Sequence, residues 1–177
     1  NILPWWIRKM PDPDGGFYGQ IDGKDDVVPG APKGGILNAR ILWSFSAAYL
    51  KLREPAYLVM ATRARDYIFR YFFDDVHGGT YWCLKSNGEP LDTKKQIYSQ
   101  AFFIYALSTY HAATGDRESL DRAIDLYRLI EAHSFDSERG GYFEAFTREW
   151  GEITDLRLSA KDANEKKTMN THLHVLE

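Results

Sequence analysis

Hydrophobic positions fall along this chain in two alternating patterns. Residues 35–52 are apolar nearly all round: Ile36, Leu37, Ile41, Leu42, Trp43, Phe45, Ala47, Ala48, Tyr49 and Leu50 leave no wet face. That pattern predicts a helix buried on every side. Residues 56–73 instead carry a one-sided stripe of Tyr57, Met60, Ala61, Ala64, Ile68, Tyr71 and Phe72, with Arg63, Arg65, Asp66 and Arg70 opposite. Residues 96–110 repeat the enclosed pattern and 117–132 the one-sided one. Between them Gly115-Asp116 offers a C-terminal stop and an N-cap. Residues 169–177 open a third apolar-periodic segment.

Enclosed helices alternating with amphipathic ones predict an inner ring backed by an outer ring. The expected fold is therefore all-α, an α/α barrel or toroid. An open α-solenoid is the alternative, but its inner helices would keep a polar concave face, and these are too apolar.

A repeat underlies the pattern. Gly15-Gly16-Phe17-Tyr18, Gly78-Gly79-Thr80-Tyr81 and Gly140-Gly141-Tyr142-Phe143 recur 63 and then 62 residues apart. Each follows an acidic loop (Asp12 and Asp14, Asp74 and Asp75, Asp136 and Glu138) and precedes a turn signal at Asp22-Gly23, Asn87-Gly88 or Trp150-Gly151. These read as short β-hairpins at one end of the helices. Two helix pairs and the opening helix of a third cannot close a ring. Asn1 is not an initiator Met, and residues 169–177 stop without Gly, Pro or a basic turn. Residues 1–177 are thus expected to be part of a single barrel domain, an incomplete barrel truncated at both ends.

Charge and composition exclude more than they select. Lys plus Arg number 22 and Asp plus Glu 25, a net charge of −3, which gives no footprint for nucleic acid or an anionic membrane. No stretch approaches the roughly 20 apolar residues that span a bilayer. The single cysteine, Cys83, forms no internal disulfide framework. Aromatic residues make up 15% of the chain, which suits a cleft for sugar rings as well as a core.

Polar residues on enclosed helices mark candidate chemistry. Arg40 is a permanent cation in an apolar helix. It either forms a structural ion pair or offers its fork of donors to a ligand in the lumen. Tyr98 stands in the corresponding region of the second inner helix, as a ligand contact or a core tyrosine. On the third, Asn170, His174 and Glu177 fall within one narrow helical face, and His172 falls on the far side. The two histidines therefore cannot share a ligand, which argues against a metal site. His172 reads better as a hydrogen-bonded core residue. His174 beside an amide, a carboxylate and an arginine suits proton transfer on a neutral polyol. The Gly-Gly pairs open hairpins rather than helices, so they cradle no phosphate.

The motifs Ala31-Pro32-Lys33-Gly34-Gly35-Ile36-Leu37-Asn38-Ala39-Arg40-Ile41-Leu42-Trp43 and Met169-Asn170-Thr171-His172-Leu173-His174-Val175-Leu176-Glu177 resemble the cellobiose 2-epimerases of the N-acylglucosamine 2-epimerase superfamily. Gln96-Ile97-Tyr98-Ser99-Gln100-Ala101-Phe102 fits the same pattern. The resemblance implies an (α/α)6 barrel about twice this length, with this chain its N-terminal half. It further implies reversible C2 epimerisation of the reducing-end glucose of β-1,4-linked disaccharides through an opened ring and a cis-enediol(ate). The family works without metal or nucleotide cofactor, using two opposed histidines that lie beyond these residues. Arg40 would stabilise the enediolate oxygen, His174 would assist ring opening, and Tyr98 and Asn170 would line the sugar subsite. Glu177 would sit beside His174, as a sugar contact or a brace for its ring. The 177-residue stretch alone is expected to be inactive and its parent cytoplasmic.

Other readings remain open at this point. An N-acylglucosamine 2-epimerase or a mannose-type aldose–ketose isomerase would use the same scaffold. A glycoside hydrolase needs two lumen carboxylates about 5–9.5 Å apart, and these helices offer only Glu177. A non-catalytic sugar-binding module would bind without exchanging the C2 hydrogen.

Overall fold

The computed structural model describes residues 2–177. Six helices dominate: α1 (Ile2–Lys9), α2 (Gly35–Leu52), α3 (Pro55–Tyr71), α4 (Ile97–Thr114), α5 (Arg117–His133) and α6 (Met169–Leu176). Five strands of two or three residues lie between them: β1 (Lys33–Gly34), β2 (Cys83–Leu84), β3 (Pro90–Asp92), β4 (Lys95–Gln96) and β5 (Ala145–Phe146).

The alternation read from the sequence is the alternation observed. Helices α2, α4 and α6 stand side by side as an inner row, α3 backs α2, and α5 backs α4. Ala39, Leu42 and Phe45 of α2 and Phe103 and Leu107 of α4 are almost wholly shielded. Each of these leucine and phenylalanine side chains contributes about 1.5–3 kcal/mol by leaving water. The caps explain the boundaries. Gly115 ends α4 at φ +79°, and the Asp116 carboxylate accepts the Ser119 backbone N–H to start α5. Pro55 opens α3, where its missing N–H costs nothing.

Three features differ from the expectation. Helix α1 was not anticipated. It is only eight residues long and has a proline in its first turn, yet Leu3, Trp6 and Ile7 make a helical stripe packed on the core. The enclosed helices are also not enclosed all round. Helix α2 exposes Arg40, and α6 exposes Met169, Leu173 and Leu176. Their apolar flanks meet neighbouring helices, and a further face opens on a cavity.

The hairpins, too, are not purely local. Each tip closes a short turn, at Asp22–Asp26, Lys85–Glu89 and Thr147–Gly151, with a left-handed residue at Asp25, Gly88 or Trp150. In the first tip this residue is Asp25 rather than Gly23. The strands leading into the inner helices, however, pair forward. β1 pairs antiparallel with β2, and β4 with β5, so each repeat is laced to the next.

Beneath this lacing sits an ion pair that recurs three times. Lys33, Lys95 and Lys167 each lie two residues before an inner helix, and donate to Asp12, Asp74 and Asp136 at 2.7, 2.9 and 2.5 Å. The other carboxylate oxygen of each aspartate accepts backbone N–H groups of the loop that leads to the Gly-Gly pair. The middle pair is the most demanding, since neither side chain reaches solvent. Burial alone would raise the Asp74 carboxyl. Hydrogen bonds from Arg148 and Lys95 outweigh it and hold the group well below the usual carboxylate range.

Replacing Asp74 with alanine strands the Lys95 ammonium in the core, so a loss of about 3–5 kcal/mol is expected. Asp136→Ala, beside a partly exposed lysine, should cost clearly less. Urea unfolding of the complete gene product measures both. Asp74 has a folded value below its unfolded one of about 3.9. The difference between wild type and Asp74→Ala should therefore be full above about pH 4 and narrow as the pH falls further.

Candidate active site on the inner helix row

Counting from the first residue of each inner helix aligns three rows of side chains. The second residues are Ile36, Tyr98 and Asn170; the sixth are Arg40, Phe102 and His174; the ninth are Trp43, Tyr105 and Glu177. Within every row the spacings are 62 and 72 residues. Positions two, six and nine share one face of a helix, so the rows lie across α2, α4 and α6 on their common open side.

Contacts confirm the alignment. The Arg40 guanidinium lies 4.7 Å over the Phe102 ring, and Phe102 lies 4.3 Å from the His174 ring. One turn further along, Trp43 stacks on Tyr105 at 5.4 Å. A cavity of about 270 Å³ opens on both rows, lined by Arg40, Trp43, Ser44, Phe102, Tyr105, His174 and Glu177.

Four of the residues singled out from the sequence meet here. Arg40 Nη2 donates to the Tyr98 hydroxyl at 3.4 Å, a long and weak bond. No carboxylate among the described residues pairs with Arg40. The Tyr98 ring is buried and meets the His174 ring edge-on at 4.7 Å. His174 Nδ1 lies 2.9 Å from Glu177 Oε2.

Asn170 stands apart. It shares their helical face but is exposed on a separate cavity of about 190 Å³, with Glu144, Leu156, Arg157 and Asp162 on its walls. That cavity lies under residues 152–168, where the third repeat is ten residues longer than the second. Gln96 and Lys94 pin this segment by donating to the carbonyls of Leu156 and Arg157.

The start of α6 is fixed from two sides. Glu144, buried, accepts the Thr168 backbone N–H and the Thr171 hydroxyl with its two oxygens. His172 accepts the Tyr142 backbone N–H at Nε2, and its Nδ1 donates to the Thr168 carbonyl. His172 is thus a structural residue facing away from His174, as the helical angles required. Gln100, at the same helix position in the preceding repeat, holds Thr80 N–H and carbonyl in the same manner. Both contacts need a glycine. A Cβ on Gly141 would come within 2.5 Å of His172 Nε2, and one on Gly79 within 3.2 Å of Gln100 Oε1, at φ of +80° and +72°.

Phe102, Trp43 and Tyr105 were missed as site residues because aromatics on an apolar helix read as core. Their spacing from Arg40, His174 and Glu177 was the available signal. Among the described residues no three His, Cys, Asp or Glu side chains converge as a metal ion needs, and no helix is long and apolar enough to cross a membrane. Chemically, the cavity offers one uncompensated cation, one imidazole and aromatic walls. That suits a neutral polyhydroxyl ligand on which negative charge can develop.

Comparison with known proteins agrees with this geometry. Residues 16–173 match the N-acylglucosamine 2-epimerase (GlcNAc 2-epimerase) family. The chain is 58% identical to a cellobiose 2-epimerase of Bacteroides fragilis, across all of this chain and 45% of that protein. It is 42% identical to one of Eubacterium cellulosolvens, across all of this chain and 43% of that one. Its fold superposes on the structure of a cellobiose 2-epimerase from Bacillus thermoamylovorans with a TM-score of 0.93, at 44% identity, covering 99% of this chain and 45% of that one. The chain thus spans less than half the length of the relatives it matches.

The assignment of His172 to structure can be checked. His172→Ala leaves the Tyr142 N–H without its acceptor, and should lower stability by about 1–3 kcal/mol in urea unfolding. Ligand affinity at the Arg40 cavity should stay the same, because His172 does not line it.

Proposed function

Since the chain belongs to the N-acylglucosamine 2-epimerase family, we propose that it supplies two helix pairs and the opening inner helix of a third to a six-pair (α/α)6 catalytic barrel. That barrel epimerises C2 of the reducing-end glucose of β-1,4-linked disaccharides, turning cellobiose into glucosyl-mannose and lactose into epilactose. The observation that carries this reading is Arg40: a cation with no carboxylate partner among the described residues, opening on the same cavity as His174.

The chemistry explains why such a cation is kept. A C2 hydrogen becomes acidic only next to an aldehyde, so the sugar ring must first open. Removal of the C2 proton then moves negative charge onto the C1 oxygen, giving a cis-enediolate, and return of a proton to the opposite face inverts C2. A guanidinium presents five N–H donors in a rigid fork. Those of Arg40 not shared with Tyr98 are available to the developing oxyanion. Stabilising charge where it appears is commonly the largest single contribution to such a reaction. His174 handles the proton that moves when the ring opens and closes. Tyr98 and Glu177 flank His174 at the sugar subsite, with the stacked Trp43 and Tyr105 as its apolar floor, while Asn170, expected there, faces the neighbouring cavity instead. The two histidines that exchange the C2 proton on opposite faces come from outside residues 1–177. The reading involves a small-molecule sugar in the cytoplasm, with no nucleic-acid or membrane partner.

Incubating the complete gene product with cellobiose in deuterium oxide should give glucosyl-mannose carrying deuterium at C2, read by NMR. A ketose product would indicate an aldose–ketose isomerase instead, and absence of exchange would leave a sugar-binding module. Arg40→Ala should lower kcat by about 10²–10³; an unaltered rate would remove Arg40 from the mechanism.

A further inference from the structure

Glu177 lies one turn beyond His174 on the cavity face of α6, and its Oε2 meets the imidazole Nδ1 at 2.9 Å. An ionised carboxylate can only accept. Nδ1 therefore carries the proton of the neutral ring, and Nε2 is left with its lone pair. The ring is held on its other sides by groups that take no hydrogen bond from it: Tyr98 edge-on at 4.7 Å and Phe102 tilted at 4.3 Å. The charged and titratable groups around it are Glu177 on its own helix, Arg40 on α2 and Tyr98 on α4. Nε2 has no hydrogen-bond partner among the described residues, and the side chain lines the 270 Å³ cavity. An unconstrained imidazole would sample both tautomers.

We propose that Glu177 is a positioning residue that locks His174 in the Nδ1–H tautomer, so that Nε2 presents a proton acceptor to a ligand hydroxyl in the cavity. The identity of that hydroxyl rests on the sugar-epimerase reading; the tautomer does not. On that reading the acceptor serves ring opening. Nε2 takes the proton of the anomeric hydroxyl as C1=O1 forms and the C1–O5 bond breaks, and the same proton is then delivered to O5. His174 ends as it began, so no outside acid or base is consumed. The opposite tautomer would present an N–H to the anomeric hydroxyl and could not accept its proton. The expected role of Glu177 as a direct sugar contact is thereby refined, since its carboxylate oxygen is already committed to the ring.

The test is ¹H–¹⁵N spectroscopy of the histidine rings in the complete gene product without ligand, at a pH where His174 is neutral. Its signals are identified by their loss in His174→Asn. The Nδ1–H form is expected in the unsubstituted protein, lost in Glu177→Ala, and largely kept in Glu177→Gln, whose amide oxygen still accepts. On cellobiose, Glu177→Ala should lower kcat by about 10- to 100-fold, as loss of the carboxylate that orients a metal-bound histidine does, with KM little changed. Glu177→Gln should recover most of that loss. An Nε2–H form in the unsubstituted protein overturns the proposal, as does a tautomer indifferent to Glu177→Ala or a Glu177→Ala enzyme at full rate. Should Glu177→Ala fail to fold, the unsubstituted protein and Glu177→Gln decide alone. A protein with the Glu177-dependent tautomer but no C2 exchange keeps this role and loses the epimerase reading.

Discussion

Three aspartate–lysine pairs set the geometry on which everything else in this chain depends. Taking an ammonium and a carboxylate out of water costs several kcal/mol per ion, and their attraction offsets this only when the remaining hydrogen-bonding sites are filled as well. Asp74 meets that condition. Lys95 and the two ends of the Arg148 fork occupy its oxygens, together with the backbone N–H groups of Val76 and His77. So saturated a contact tolerates little displacement. Because each lysine stands two residues before an inner helix, the pair fixes where that helix begins. Lys33 and Lys95 also lie in strands that pair with the following repeat, so the position of one helix start is handed to the next. The alignment of Arg40, Phe102 and His174 into a row follows from this transfer.

The repeat was legible because its signals are ones that physics makes difficult to replace. A second glycine at positive φ, with a side chain pressed against it, admits no other residue, and three copies in register stand out. The division into inner and outer helices was equally legible, since burial on several sides and burial on one side leave different hydropathy patterns. Two-residue strands leave none, so pairing between repeats could not be seen. The lysines were hidden for the opposite reason. A lysine reads as solvated surface, and only its constant place before each inner helix, set against an aspartate already noted in each loop, could have suggested otherwise. Helix α1 was passed over because eight residues with an early proline resemble a frayed end.

At the site, helical angles separated His174 from His172 correctly, and the structure gives each a partner that suits its side of the helix: Glu177 toward the cavity, Tyr142 toward the hairpins. What angles alone could not supply was the neighbour across the groove. Phe102 joins Arg40 to His174 alongside Tyr98, and a phenylalanine on a buried helix carries no mark of that duty. Asn170 shows the limit from the other direction. It has the right angle but lies one turn nearer the rim, where the longer third repeat folds over it and makes a second cavity.

Equal backbone positions filled by unequal side chains explain how a repetitive scaffold acquires a single chemistry. The three inner helices all start from the hairpin rim, so the partial positive charge of each N-terminus faces the same way. That effect fades within the first turn, and the sixth residue lies beyond it. At that depth the dipoles contribute little, and a full positive charge comes from the first helix, through Arg40. The second helix places Phe102 at that level, a ring against which both neighbours pack, and the third places an imidazole whose Nδ1 meets Glu177. Cation, aromatic wall and imidazole thus come from one position in three successive copies, each held at its helix start by its own aspartate–lysine pair.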